Sequence, residues 1–144
     1  MPNMSERHST AETMLVVAGV LTDSAGRLLV AQRPFDKEHG GLWEFPGGKV
    51  ESGESPESAL VRELNEELGV LIDAADLRPV AFASEPRGAR HLVLLLYRVT
   101  AWANEPQALD AAALRWVTVD ELAGLAMPPA DIVLASALAA DRGG

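Results

Sequence analysis

The segment from Ser55 to Leu68 constrains this chain most, because it carries a full set of helix start and stop signals between stretches that read as strands. Ser55 can cap the first turn. Pro56 suits the first helical position, Glu57 meets the positive end of the helix dipole, and Gly69 stands just past the end. Before this helix, Met14 to Leu21 is an almost unbroken apolar run rich in Val. Asp23-Ser24-Ala25-Gly26 makes a turn, and Leu28 to Ala31 is a second strand closed by Pro34. After it, His91 to Trp102 is a third β-type run, with Leu77 to Ala83 and Arg115 to Thr118 as shorter ones. Ala130 to Ala140 reads as a second helix. Strands on both sides of a central helix, with another helix at the C-terminus, predict an α/β layered domain around a mixed, well-buried sheet.

The chain has 144 residues, enough for one core that buries roughly two thirds of the unfolded surface. We expect a single domain over 13–140, with loose ends at 1–12 and 141–144, where the sequence is polar and unpatterned. The absence of cysteine excludes disulfides, thiolate metal sites and cysteine nucleophiles, so any metal site must use oxygen or imidazole. No run approaches the ~18 apolar residues of a membrane span, and the first ten residues lack the apolar core of a secretory signal, so a cytoplasmic location is expected.

Asp and Glu number 21 against 12 Lys and Arg, a net charge of -9. That sign is wrong for gripping a polymeric nucleic acid by counterion release. A small polyphosphate is still compatible if carboxylates are gathered around divalent cations, which reverse the local potential.

They are gathered. Arg62, Glu63, Glu66 and Glu67 lie on the central helix, where residues three and four apart are neighbours, so Glu63 faces both Glu66 and Glu67. Leu60, Val61, Leu64 and Leu68 occupy another side and can pack on the sheet. Like charges at this spacing cost about 0.2–0.5 kcal/mol per pair, which a hard, oxygen-seeking cation would offset. A solvated face softened by an Arg62–Glu66 pair is the plainer alternative. The preceding loop, Gly47 to Glu54, favours a site: its glycines let backbone approach a ligand, and Glu54 arrives at the helix start from another direction.

Gly48, five residues, Glu54, seven residues, then Arg62-Glu63-Leu64-Asn65-Glu66-Glu67-Leu68-Gly69-Val70 resembles the Nudix box at every specified position. The resemblance implies an α/β/α sandwich around a central mixed sheet, with Mg2+ or Mn2+ bound by the box. It places Glu63, Glu66 and Glu67, with Gly48, at metal-ligand positions, Glu54 at a supporting position, and Arg62 where the family orients a glutamate.

Beyond the box, Trp43-Glu44-Phe45-Pro46-Gly47-Gly48-Lys49, Arg33, Arg90-His91 and Pro128-Pro129-Ala130-Asp131 are similar to the MutT-type branch, over roughly Met14 to Leu138. This likeness implies hydrolysis of a nucleoside triphosphate at the β-phosphorus, giving monophosphate and pyrophosphate, as in clearing 8-oxo-dGTP-like nucleotides from the pool. Asp110 aligns with an acidic metal-ligand or base position, and reads equally as a turn former. Arg33 and Arg90 are candidate phosphate contacts, since a guanidinium fork matches phosphate oxygens. Phe45, Gly47, Gly48, Lys49 and Asp131 are candidate substrate contacts, with Met14 and Val16 at the base.

Asp131 departs from the asparagine of members that remove oxidised guanine nucleotides, and an ionised aspartate donates no hydrogen bond. Cytidine triphosphate, a nucleotide sugar or ADP-ribose is therefore an alternative substrate. A binding module without turnover would show a broken box, and this one is intact. A monomer or homodimer without membrane or nucleic-acid partners completes the expectation.

Overall fold

The computed structural model describes residues 12–141. The loose ends expected at 1–12 and 141–144 fall outside that range except for Glu12, which opens the first strand, and Asp141, whose carboxylate is 3.8 Å from Arg98.

Four strands form a mixed sheet in the order β4-β1-β6-β5: β1 (Glu12–Leu21), β4 (Gly47–Lys49), β5 (Arg78–Arg87) and β6 (Arg90–Val99). β1 and β6 run parallel over ten residue pairs, and the other pairings are antiparallel. Both faces of β1 are covered, which explains its apolar run without strict alternation. Val17 and Leu21 face α1 (Pro56–Leu68), where Ala59, Leu60, Leu64 and Leu68 are buried. Ala18 and Val20 face α3 (Pro129–Ala140), whose Ala130, Leu134 and Leu138 close the second core. The expected α/β/α arrangement is present.

One expectation needs refining. The sequence reads as one mixed sheet with two strands, 14–21 and 28–31, joined by a turn, yet β2 (Leu28–Gln32) belongs to a second sheet. It pairs with β3 (Trp43–Glu44) and β7 (Ala113–Val117); against the first sheet it packs through side chains such as Leu29 on Val17, and the isolated bridge Thr22–Leu28 joins it to the turn after β1. Turn signals fix that the chain reverses but leave the choice of partner to packing. The short strands β3 and β4 and the one-turn helix α2 (Val119–Leu122) carry too few residues for a periodic signal.

The helix α1 follows its sequence signals. Ser55 Oγ accepts from the Ser58 N–H at 3.1 Å, and Gly69 adopts φ 74°, a left-handed conformation that glycine enters without Cβ penalty. Tyr97, on β6, donates to Glu57 Oε2 at 2.8 Å and fixes the first turn over the sheet. Among the described residues no helix is long and apolar enough to cross a membrane.

Candidate active site

The β4–α1 unit carries the acidic cluster. Glu54 ends the loop and is gripped by Arg62, Nε to Oε2 at 2.8 Å and Nη2 to Oε1 at 2.9 Å. The same guanidinium donates to Glu63 Oε1 at 2.9 Å, to the Lys49 carbonyl at 3.2 Å and, weakly, to Glu66 Oε2 at 3.5 Å. The fork holds the Glu54 carboxyl down at about 2, mainly through these hydrogen bonds, and the Glu51 N–H adds to it.

Glu63 is thereby laid over Gly48: a Cβ on Gly48 would stand 2.4–2.6 Å from the Glu63 carboxylate. Its other neighbour is Glu67. Burial, then the hydrogen bond and charge of Glu63, push the Glu67 carboxyl far above the ordinary carboxylate range. Glu66 points outward and is 58% exposed. Among the described residues no three acids or histidines close on one point, so the three-way crowding expected from helical spacing is a Glu63–Glu67 pair with Glu66 turned to Arg62.

Asp110 sits in a loop, but the loop is pinned. Gln107 N–H donates to the Leu68 carbonyl at 3.0 Å and Leu109 N–H to the Glu67 carbonyl at 3.1 Å, so the loop satisfies open carbonyls at the end of α1. Ala112 N–H ties its far end to Gln32. Asp110 thus shares a cavity of about 140 Å3 with Glu67, Arg33 and Glu44, and its charge contributes to raising both Glu67 and Glu44.

A second cavity of about 220 Å3 adjoins the first, between β1, β4 and the start of α3. Met14, Val16, Phe45 and Leu94 give it apolar walls, and Gly47, Gly48 and Lys49 form its edge. Asp131 is part of its lining and is only 6% exposed. Its Oδ2 accepts from the Phe45 N–H at 3.1 Å, a contact between residues 86 positions apart. Burial lifts its carboxyl to about 7, against the pull of that N–H.

Of the predicted contacts, Arg33, Phe45, Gly47, Gly48, Lys49 and Asp131 line this cavity. Arg90 does not: its Nη1 reaches Met14 Sδ at 3.3 Å on an exposed edge, and Arg87, across the hairpin turn, lines the cavity instead. Arg87 carried no sequence signal. Glu44 was visible within Trp43-Glu44-Phe45 but without a role. It holds Arg33 Nη1 at 3.1 and 3.3 Å, and burial raises its carboxyl. Trp102 and Trp116 stack at 6.1 Å beside the α1 core and serve packing.

This arrangement, a glycine-edged strand and acidic helix beside a pocket with both apolar and charged walls on an α/β/α frame, has counterparts in known proteins. The NUDIX domain family model matches residues 12–138, and the chain belongs to the Nudix family. It is a Nudix hydrolase, and such hydrolases generally use a divalent metal and act on small nucleotides. It is 40% identical over 129 residues to the CTP pyrophosphohydrolase of Escherichia coli, covering 90% of this chain and 94% of that one. It is 43% identical over 90 residues to the 8-oxo-dGTP diphosphatase of Proteus vulgaris, covering 62% of this chain and 79% of that one. The solution structure of the Escherichia coli ORF135 protein superposes with a TM-score of 0.83 at 37% identity, covering 93% and 94% of the two chains.

Proposed function

We propose that this chain hydrolyses nucleoside triphosphates to monophosphate and pyrophosphate, with Mg2+ or Mn2+ held by Glu63, Glu66 and Glu67, the Gly48 carbonyl and Asp110. The observation that carries this reading is the adjacency of two cavities, one with an apolar wall of Met14, Val16, Phe45 and Leu94 and with Asp131 in its lining, the other lined by Glu44, Glu67 and Asp110. A base buried in the first leaves its polyphosphate leading toward the second.

The donors suit a hard divalent ion. They are all oxygen, and burial together with the neighbouring Glu63 pushes the Glu67 carboxyl far above the ordinary range, a penalty on its charge that a bound cation would relieve. A bound dication supplies Lewis-acid charge for the polyphosphate oxygens. The rest falls to this chain's residues. Glu54 and Arg62 fix Glu63 against Gly48, the pinned loop delivers Asp110, and Arg33 and Lys49 draw in phosphate. Water attacks the β-phosphorus in line, and the bond to the α,β-bridging oxygen breaks, leaving that oxygen on the monophosphate.

For the base, 8-oxo-dGTP-like nucleotides are the first reading, supported by the diphosphatase relatives. A specific observation favours a second, cytidine triphosphate. Asp131 offers a buried acceptor, which matches the exocyclic amino group of cytosine, and one relative is named a CTP pyrophosphohydrolase. Incubation with Mg2+ and a panel of normal and oxidised triphosphates, nucleotide sugars and ADP-ribose, with pyrophosphate and monophosphate quantified, tests both. Uniformly negligible release from all triphosphates refutes the proposal.

A further inference from the structure

The pocket lined by Asp131 and the acidic pocket at Glu67 share two lining residues, Arg33 and Glu44. A nucleotide whose base occupies one and whose phosphates reach the other must pass its sugar and α-phosphate over this pair. The pair is rigidly set. Arg33 donates through Nε to the Glu38 carbonyl at 2.7 Å and through Nη1 to both oxygens of Glu44, and its N–H is fixed to the Leu42 carbonyl at 2.9 Å. Glu44 is paired with Ala31 across β2–β3, and the neighbouring Trp43 N–H is tied to Ala126.

The two side chains offer opposite chemistries. Arg33 has its Nη2 hydrogens left for an anion. Glu44 has lone pairs beyond those taken by Nη1, and a carboxylate has room for about four donors. An ionised Glu44 offers only acceptors, so it gives a phosphate oxygen no hydrogen bond of its own. It needs a donor, and between a base and its phosphates the only donors are sugar hydroxyls.

Resting on the function proposed above, we propose that Glu44 is a specificity-determining residue that reads the sugar: its carboxylate accepts from a ribose or deoxyribose hydroxyl while Arg33 takes the α-phosphate. The ligand class that follows is a nucleotide with an intact sugar hydroxyl. Analogues lacking both hydroxyls leave the acceptor positions of Glu44 that Arg33 does not fill without a donor.

The test compares kcat/KM for ribo, 2′-deoxy and 2′,3′-dideoxy triphosphates of the best-cleaved base, in the wild type, Glu44→Gln and Glu44→Ala. The wild type is expected to disfavour the dideoxy analogue by about 10- to 100-fold, the range for a hydrogen bond to a charged group. Glu44→Ala brings that ratio close to one. Glu44→Gln keeps a neutral acceptor, roughly half as strong, and falls between. A purely structural Glu44 lowers all three substrates alike and leaves the ratio unmoved, so loss of activity by itself decides nothing.

An unchanged ratio in Glu44→Ala overturns the inference while the triphosphatase reading stands, as does a wild type that ignores the missing hydroxyls. If Glu44→Ala does not fold, an unchanged ratio in Glu44→Gln has the same force. A wild type that cleaves no triphosphate removes the parent reading, and this inference with it.

Discussion

Arg62 holds Glu54 and Glu63 at once, with contacts of 2.8, 2.9 and 2.9 Å from one guanidinium, so the loop before α1 and the acidic face of α1 are a single rigid unit. A lysine presents one point charge and cannot reproduce a fork that serves two carboxylates. Arg62→Lys is therefore expected to lower kcat about 10- to 1,000-fold, with Tm within a few degrees of the wild type. Steady-state kinetics with thermal melts check this; wild-type turnover in Arg62→Lys sinks the positioning role.

Burial and the neighbouring Glu63 push the Glu67 carboxyl far above the ordinary carboxylate range, which favours its neutral form in the metal-free protein. A glutamine copies that neutral form, so Glu67→Gln should retain or gain stability without metal while losing orders of magnitude in turnover. Melting curves and single-turnover hydrolysis measure the two halves separately. A clear drop in metal-free Tm contradicts the buried, protonated assignment.

Divalent cations should stabilise the wild type and fail to stabilise Glu67→Gln. At a hundredfold excess over Kd, binding contributes about 2.7 kcal/mol to the folded state. Mg2+ and Mn2+ titrations followed by Tm and calorimetry read this out, and equal shifts in both proteins would show that the ion binds elsewhere.

Gly48 lies under the Glu63 carboxylate, and an alanine Cβ there would come within 2.4–2.6 Å of it. The obstacle is the end of a flexible side chain, so Gly48→Ala should fold while moving Glu63 away. The expected result is at least about tenfold weaker metal affinity, of order 1.4 kcal/mol, with a smaller effect on Tm. Calorimetric titration with Mn2+ tests it, and an unaltered Kd argues against Glu63 as a ligand.

Asp131 has a folded-state value of about 7 against an ordinary 3.8. Its protonated form is therefore favoured by folding. The associated stability is complete below about 3.8 and is lost as pH rises through about 7. Roughly three pH units at ~1.4 kcal/mol each bound the effect at about 4 kcal/mol. Asparagine accepts the Phe45 N–H and does not ionise, so Asp131→Asn should be the more stable protein at pH 8 and show a flatter stability curve from pH 5 to 8.5. Parallel curves from urea unfolding would disprove this.

Much of the acidic half of the site was legible from spacing. Helical geometry puts Glu63 beside Glu66 and Glu67 in any context, and the caps at Ser55 and Gly69 set where that helix starts and stops. Spacing also offered the Arg62–Glu66 pair, four residues apart, which forms weakly at 3.5 Å, but it could not tell that Arg62 would direct its stronger contacts to Glu54 and Glu63. Arg90 looked like a phosphate ligand by position, yet the hairpin at Gly88 sends Arg87 to the cavity. Asp110 stood in a stretch without periodicity and acquired its place from backbone bonds to the end of α1.

Local interactions between residues near in the chain settled the helix, its acidic face and the buried character of β1, since each depends on caps, i to i+4 contacts and apolar runs. The division into two sheets, the contact of Asp131 with Phe45 and the meeting of Glu44 with Arg33 between two cavities arose only on packing. They join segments distant in the chain, Phe45 and Asp131 being 86 positions apart, and no local propensity encodes which distant backbone a side chain will meet.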